Sequence, residues 1–577
     1  MKTEAQSKFS TLVPLLVVCV LAILSVSKIQ YTEFLFYNAT YYVLLTLGAL
    51  WMSTLLLEFP NWSNFKKFLH DSRSPLLIAL LSTVLIATAI KANVRVQADE
   101  SLIASNSLSF FQLKEATVTN GISYENGIAT IYGKAMPLRP QLLAFLASIL
   151  HSLKGYSLEN LFIVNLIAFF FFVYFLMQLL HKKPLLAKIS ALLLVCAHPV
   201  LLMSFRSAGL ESLFLTLLIA NIYFMNLYLE KRKIEHFLFY LLTFVTCLHT
   251  RYEAILPLFC IALFFLWTVK KEIRSIYSKH KIFIPLSLLC SLPFFWQRII
   301  AHGELSNFFN SYPGGIKQSI DGAFNLSYLL PNLISFSHAC CAIDKNLQFF
   351  SPWIIPAFFI GFAIFCFKFK KTPKLNSLMI VSCLAVASHL VLLIFYVAGE
   401  AAYAVYSRLF LDVFVLFSLL VFVVAEKLIS TRNLFVASLL IFLFSIHETQ
   451  RNNYTYIGLF NRVERFVSQS YKKRNFNEND ILISTMTAPF IALGMSTLPA
   501  QMLLNNQKEL QEVLRISSNV NLLYIDTAPV AEVMSAGSPL PENTPFIAKL
   551  IETQSVGFKK QARLWKLSIK EPANLQD

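Results

Sequence analysis

The sequence predicts a polytopic α-helical membrane protein of about thirteen spans, with large outer loops and a small C-terminal α/β extracytoplasmic domain. Three observations predict this. The 577-residue chain is 56% hydrophobic and 14% charged, with mean hydropathy +0.60, whereas a soluble chain carries about 25% charged residues. Apolar runs long enough to cross about 30 Å of hydrocarbon recur along its length. Lysine and arginine fall in short blocks between those runs, such as "HKKPLLAK", "EKRK" and "KFKK", as cytoplasmic loops require. The net charge of +17 therefore points to anionic membrane lipid as a partner and not to nucleic acid.

In chain order, "MKTEAQSKFS" and the apolar stretch after it resemble a signal peptide, but no A-x-A-like cleavage site follows, so 11–28 reads as a retained helix. Further spans are expected at 40–58, 75–91, 159–180, 184–204, 210–229, 235–250, 252–269, 282–300, 351–368, 376–397, 408–425 and 433–447. The basic groups Lys66, Lys67 and Arg73, then Lys182 and Lys183, Lys231 to Lys233, Lys270 to Arg274, Lys368 to Lys374, and Lys427 with Arg432 place their loops on the cytoplasmic side. The alternation has no conflict and puts the C-terminus outside. Residues 1–74 then hold two extra N-terminal spans, 75–448 form the main membrane domain, and 449–577 form a C-terminal domain facing the periplasm if the cell has two membranes. Seven of the nine cysteines fall inside expected spans and Cys340 adjoins Cys341, so a disulfide framework is not expected. The four N-x-S/T sequons, at Asn38, Asn61, Asn325 and Asn453, are about what chance supplies.

Residues 92–158 and 301–350 become large outer loops. In the first, "ISYENGIATIY" carries Asn126-Gly127, which suits a tight hairpin turn. Its later part is apolar at 142, 143, 146, 149, 150 and 153, one face of a helix lying along the membrane surface. The tail alternates strand-like "DILIST" and "NLLYIDT" with helical stretches.

Charged residues gather at the outer ends of these spans. Asp99 and Glu100 follow the third span, where helix capping and catalysis are equally open readings. Glu211 opens the sixth span with Arg206 five residues before it, Arg251 and Glu253 share one outer turn, and Arg408 stands at the entrance of the twelfth span. Taken singly, each reads as an interface residue with its charge in water. As a group they run against the positive-inside bias, and each charge drawn inward costs about 3 kcal/mol, which favours paired or ligand-binding roles. Guanidinium forks suit phosphate and a carboxylate suits proton abstraction, so transfer of a group from a lipid phosphate fits the set. There is no Walker A loop and no G-x-S-x-G, so nucleotide hydrolysis and an α/β-hydrolase triad have no support.

Over roughly residues 75–430 the chain resembles the membrane-embedded C-type glycosyltransferases, in the branch of protein O-mannosyltransferases and aminoarabinose transferases. The resemblance rests on "ADE", "YGKAMPLRPQLLAFL", "GLESLF", "TRYEAILP" and "SRLFLDV", in that order and on one side. It implies a polyprenyl-phosphate-linked sugar as donor and transfer to a glycan, lipid or protein acceptor, usually with inversion. By the resemblance Asp99 is the catalytic base with Glu100 beside it, and Glu211 is a second catalytic acid. Arg251 and Arg408 match basic positions near the lipid phosphate, and Lys134 and Arg139 match the basic segment after the acidic pair. Arg206 joins these as a candidate phosphate ligand. His302 and Glu304 match a place where some members hold a divalent metal ion, although a lone histidine there is more often structural. Asp412 departs from the pattern, standing where a proline-containing stretch is common, and the two extra N-terminal spans are a second departure. The aromatic-rich loop 301–350, with "SYPGGIKQS", is expected to close over the donor. A transporter or flippase of lipid-linked glycans is the alternative from another class, but it calls for charges in mid-span, and these are scarce. A polysaccharide ligase or polymerase calls for an arginine-rich outer loop, and 301–350 has no arginine.

Overall fold

The computed structural model describes residues 29–125, 128–311, 325–339, 343–344, 347–348, 377–396, 408–452, 459–476, 480–516, 520–529, 540, 544–557 and 560–570. The expected spans 11–28 and 351–368, Cys340 and Cys341, and nearly all of "SYPGGIKQS" lie outside the described residues.

The described chain is mostly helical. A helix stands at every expected span from 40–58 to 282–300 and again from 376–397 to 433–447. Among the described residues, five helices are long and apolar enough to cross a membrane. They become six when Trp62–Asp71 and Arg73–Ala89, bent by 65°, count as one span. The other expected spans are met by shorter apolar helices such as Ile234–Leu248 and Ile255–Val269. Run 184–204 breaks into Leu185–Cys196 and Pro199–Ser204. Pro199 has no amide hydrogen to continue the earlier helix but suits the first position of the next.

The described residues fold as two compact units, one drawn from 1–95, 140–143 and 162–454, the other from 96–139, 144–161 and 455–577. In the first unit, helix Glu211–Lys231 is apolar nearly all round and is buried on most of its length. It packs against Ile234–Leu248, and the buried Asn221 amide pins the pair by donating to the Tyr240 carbonyl at 3.1 Å and the Thr243 hydroxyl at 3.0 Å. Large apolar side chains instead face outward on Ile29–Glu58 (Phe34, Tyr42, Leu56) and Arg73–Ala89 (Leu77, Leu81, Val84), a surface suited to lipid and not to water.

The second unit is built on one seven-stranded sheet. Its strands are β1 (Val118–Glu125), β2 (Ile128–Ala135), β3 (Ile481–Ser484), β4 (Thr497–Pro499), β5 (Leu522–Pro529), β6 (Phe546–Gly557) and β7 (Lys560–Ile569). The spatial order is β2-β1-β4-β3-β5-β7-β6. Strand β3 runs parallel to β4 and β5, and the remaining pairings are antiparallel. Glu125 pairs with Ile128 at the end of this antiparallel hairpin. This hairpin from the first large loop joins the tail's sheet through Ile122 opposite Thr497, while the Tyr124 amide donates to the Ser496 hydroxyl at 2.9 Å. Ile122, Leu108 and Ile491, all fully buried, form the apolar seam beneath the joint. The tail is thus not a separate domain beside the loop; the two share one sheet.

Candidate active site

The sequence candidates fall into two clusters, one in each unit.

In the sheet-bearing unit, Asp99 and Glu100 lie in the first turn of helix Gln97–Gln112, where the amide ends favour negative charge. Their neighbours separate them. The Glu100 carboxylate, 1% exposed, turns back on its own helix and accepts from the Val96 amide at 2.9 Å, a capping bond for a helix whose N-cap side chain makes none. Asp99 pairs with the Arg139 guanidinium. Lys134 is engaged elsewhere on the hairpin, with Glu115 at 2.7 Å.

The same unit holds a buried array that resembles a nucleophilic triad. Ser107 Oγ lies 2.9 Å from His151 Nε2, and Asn160 Nδ2 lies 2.8 Å from His151 Nδ1. The donor directions exclude catalysis by it. Asn160 Nδ2 also donates to the Gly155 carbonyl at 3.0 Å, which fixes the amide so that Nδ1 accepts. Nε2 then carries the hydrogen and donates to Ser107, whose own hydroxyl donates to the Ala104 carbonyl at 2.6 Å. A catalytic triad needs the reverse tautomer. Burial holds the imidazole at a pKa of about 4, with only partial relief from a backbone hydrogen bond, so the ring is neutral at physiological pH.

In the helical unit, the loop before Glu211 is clamped from two sides. Asn165 donates to the Ser207 carbonyl at 2.7 Å and the Gly209 carbonyl at 2.9 Å. Arg206 donates to the Ile90 carbonyl at 2.9 Å and the Ala87 carbonyl at 3.3 Å, closing the C-terminal end of Arg73–Ala89. Arg206 therefore serves as a helix cap in this fold. At Gly209 a Cβ would collide with the Glu211 carboxylate, so this position needs glycine for the acid to fold back over it.

Glu211, 5% exposed, meets Arg408 at 3.2 Å. Arg251, also 5% exposed, donates to the Arg408 carbonyl at 3.3 Å and to Glu253 at 3.4 Å, with its guanidinium 5.7 Å from the Phe214 ring, one helical turn beyond Glu211. Burial alone would raise the Glu253 pKa, but Arg251 outweighs it and holds the carboxyl at about 2. For Arg251 burial works against the charge, and Glu253, Glu211 and Asp412 together outweigh it and raise the pKa. Sequence reading brought Glu211, Arg251, Glu253 and Arg408 forward, and the fold gathers all four.

It also adds a pair that sequence reading missed. His389 Nδ1 lies 2.5 Å from Asp412 Oδ2, with the two residues 0% and 1% exposed. His302 and Glu304 fall on helix Leu292–Ser311. Among the described residues no group of three or more His, Cys, Asp or Glu gathers in a geometry that could hold a metal ion.

Residues 137–296 match the family described as dolichyl-phosphate-mannose-protein mannosyltransferase. No curated protein matches the chain. The fold is similar to ArnT from Cupriavidus metallidurans. Its apo crystal structure shows 8% identity and a TM-score of 0.50, covering 85% of this chain and 97% of that one. The crystal structure of ArnT bound to undecaprenyl phosphate shows 10% identity and a TM-score of 0.52 over the same shares. Archaeal oligosaccharyltransferase AglB from Archaeoglobus fulgidus, at 10% identity over 82% of this chain and 70% of its own, has a TM-score of 0.41, too loose a likeness to bear on the fold. Residues 137–296, which include the loop that positions Glu211 and the turn that carries Arg251, thus match a glycosyltransferase family, and the likeness over most of the chain shows the fold of ArnT.

Proposed function

We propose that the chain moves a sugar from a polyprenyl-phosphate donor to an acceptor on the outer face of the membrane, with a carboxylate as general base. The observation that carries this reading is the grouping of the buried Glu211 and Arg251 with the half-buried Arg408 at the ends of helices from distant parts of the sequence. A guanidinium has five N–H donors, so it can hold an acid and still meet a phosphate oxygen. In this reading Arg251 and Arg408 stabilise the charge that builds on the phosphate oxygen as the bond from the anomeric carbon to that oxygen breaks. The acceptor hydroxyl forms the new bond to that carbon and gives its proton to a carboxylate. Glu211, in the same cluster, is one candidate carboxylate, and Asp99 is the base that the resemblance implies. The likeness to ArnT, which binds undecaprenyl phosphate in one of its structures, supports a lipid-linked donor.

The test is transfer in vitro from labelled polyprenyl-phosphate sugars, mannose among them, reading release of polyprenyl phosphate. Asp99→Asn and Glu211→Gln are each expected to lower turnover by about a hundredfold or more, the usual worth of acid–base catalysis. Wild-type turnover in both would end the assignment. Reporter fusions at the C-terminus and within 92–158 test the sidedness, and a cytoplasmic signal from either would reverse it.

A further inference from the structure

The least explained polar group in the helical unit is the His389–Asp412 pair. Helix Ser377–Ile394 supplies the histidine and the first turn of Leu411–Leu428 supplies the acid. Nothing about it suits a stabilising device. Replacing a buried ion pair with apolar side chains is usually neutral or favourable, because desolvation consumes the Coulomb gain. Here the remaining atoms, His389 Nε2 and Asp412 Oδ1, are buried with no hydrogen-bond partner, which is a further cost. Apolar side chains lay beside it in any case: Leu393, Phe410 and Phe414 form one buried cluster around this helix start, and His198 stacks on Phe414 at 4.5 Å.

The placement suggests what the charge does. The turn Arg408–Phe410 leads directly into the helix that Asp412 opens. That turn makes two contacts of the candidate site. Its first residue sends a guanidinium to Glu211, and the same residue's carbonyl receives Arg251. Fixing Asp412 to His389 therefore fixes the register of the turn, and with it both arginines. Asp412 also acts on Arg251 through its field, alongside Glu253 and Glu211.

We propose that Asp412, held by His389, is a positioning residue that sets where the Arg251 and Arg408 guanidiniums stand, and so how tightly the chain binds a lipid phosphate. The proposal rests on the reading in which these arginines meet the donor phosphate.

The experiment is equilibrium binding of undecaprenyl phosphate to the full-length chain in lipid nanodiscs, together with thermal unfolding. The variants are Asp412→Asn, the double variant His389→Leu with Asp412→Leu, and Arg408→Gln. The double variant leaves no unpaired charge, so it is expected to melt within a few degrees of wild type. It and Asp412→Asn are expected to raise the Kd for undecaprenyl phosphate at least about tenfold, a loss that a packing role would not produce. Wild-type affinity in a folded double variant overturns the proposal, because the pair then only fills space. Tighter binding by Asp412→Asn also overturns it, because Asp412 would then act only as a negative charge repelling the phosphate. Failure of both Asp412 variants to fold would make the pair a requirement of the fold and would overturn it too. If Arg408→Gln binds as wild type does, the arginine reading itself fails and takes the positioning claim with it.

Discussion

Asp99 and Glu100 carry the same charge on adjacent residues, yet the fold gives them different partners. Glu100 satisfies a backbone amide at the start of its own helix, while Asp99 reaches a guanidinium forty positions along the chain. Substitution should separate the two roles. Glu100→Ala removes a capping acceptor and is expected to cost about 1 kcal/mol, read as a lower melting temperature. Asp99→Asn should leave melting nearly unchanged and abolish transfer. A reversal of these outcomes would exchange the assignments. Gly209 permits a sharper test of Glu211, because the atom its new Cβ would strike is the far end of a flexible side chain. Gly209→Ala is therefore expected to fold with a cost of about 1 kcal/mol or less, while its turnover falls towards that of Glu211→Gln. Full turnover in Gly209→Ala would show that the carboxylate's position is immaterial. Glu253 gives a pH expectation with a definite sign. Its carboxyl is held at about 2 in the fold against an ordinary 4.5, so its contribution to stability is fully present above pH 4.5 and is lost as pH falls towards 2. Glu253→Gln should flatten that part of the stability profile, measured by thermal unfolding.

At the scale of elements, the parts legible in the sequence are those with a local pattern. Hydropathy places the helices, and Asn126-Gly127 announces the hairpin. Of the apolar stripe read at 142, 143, 146, 149, 150 and 153, the later positions mark the outward face of helix Leu142–Lys154, on which Leu153 is 77% exposed, whereas Leu142 and Leu143 are buried. The other face was not legible, because its content is small or polar. Ala144, Ala147, Ser148 and His151 are buried there, and His151 links Ser107 to Asn160 through a neutral ring. Pairings between distant positions with no local signature were hidden too: His389 with Asp412, and Ile122 with Thr497. Burial of His151 yields an expectation for the sheet-bearing unit. The unfolded imidazole takes up a proton near pH 6.5, whereas the folded one resists until about pH 4. Between those values the unfolded chain binds more protons, so stability falls as pH falls, by up to about 3 kcal/mol across the window. His151→Gln should remove most of that slope. A slope that persists in the variant would place its origin in another group.

For the molecule as a whole, the sheet ties together parts of the chain made far apart in time. The hairpin of β1 and β2 ends at Ala135, but its neighbour in the sheet begins at Thr497. A contact of such sequence separation forms late, and a hairpin on its own is marginal in water. Until the tail arrives, the seam of Ile122, Leu108 and Ile491 is incomplete and the β1 edge offers unpaired amides. Truncation after residue 454 should recreate that state permanently. Hydrogen exchange in the peptide 118–125 is then expected to be at least about tenfold faster than in the full chain, because β1 loses both its neighbouring strand and its buried face. Helices of the other unit, such as Glu211–Lys231, pack within that unit and should keep their protection. Equal protection of 118–125 with and without the tail would show that the hairpin is stable by itself. The tail would then be an appendage, and a mutation within it would have no route to the helix that carries Asp99. If protection is lost as expected, the tail is a structural condition for that helix, since Ile491 packs under Leu108 on the same element. Tail variants such as Ile491→Asp should then lower transfer without touching any residue that meets the substrate.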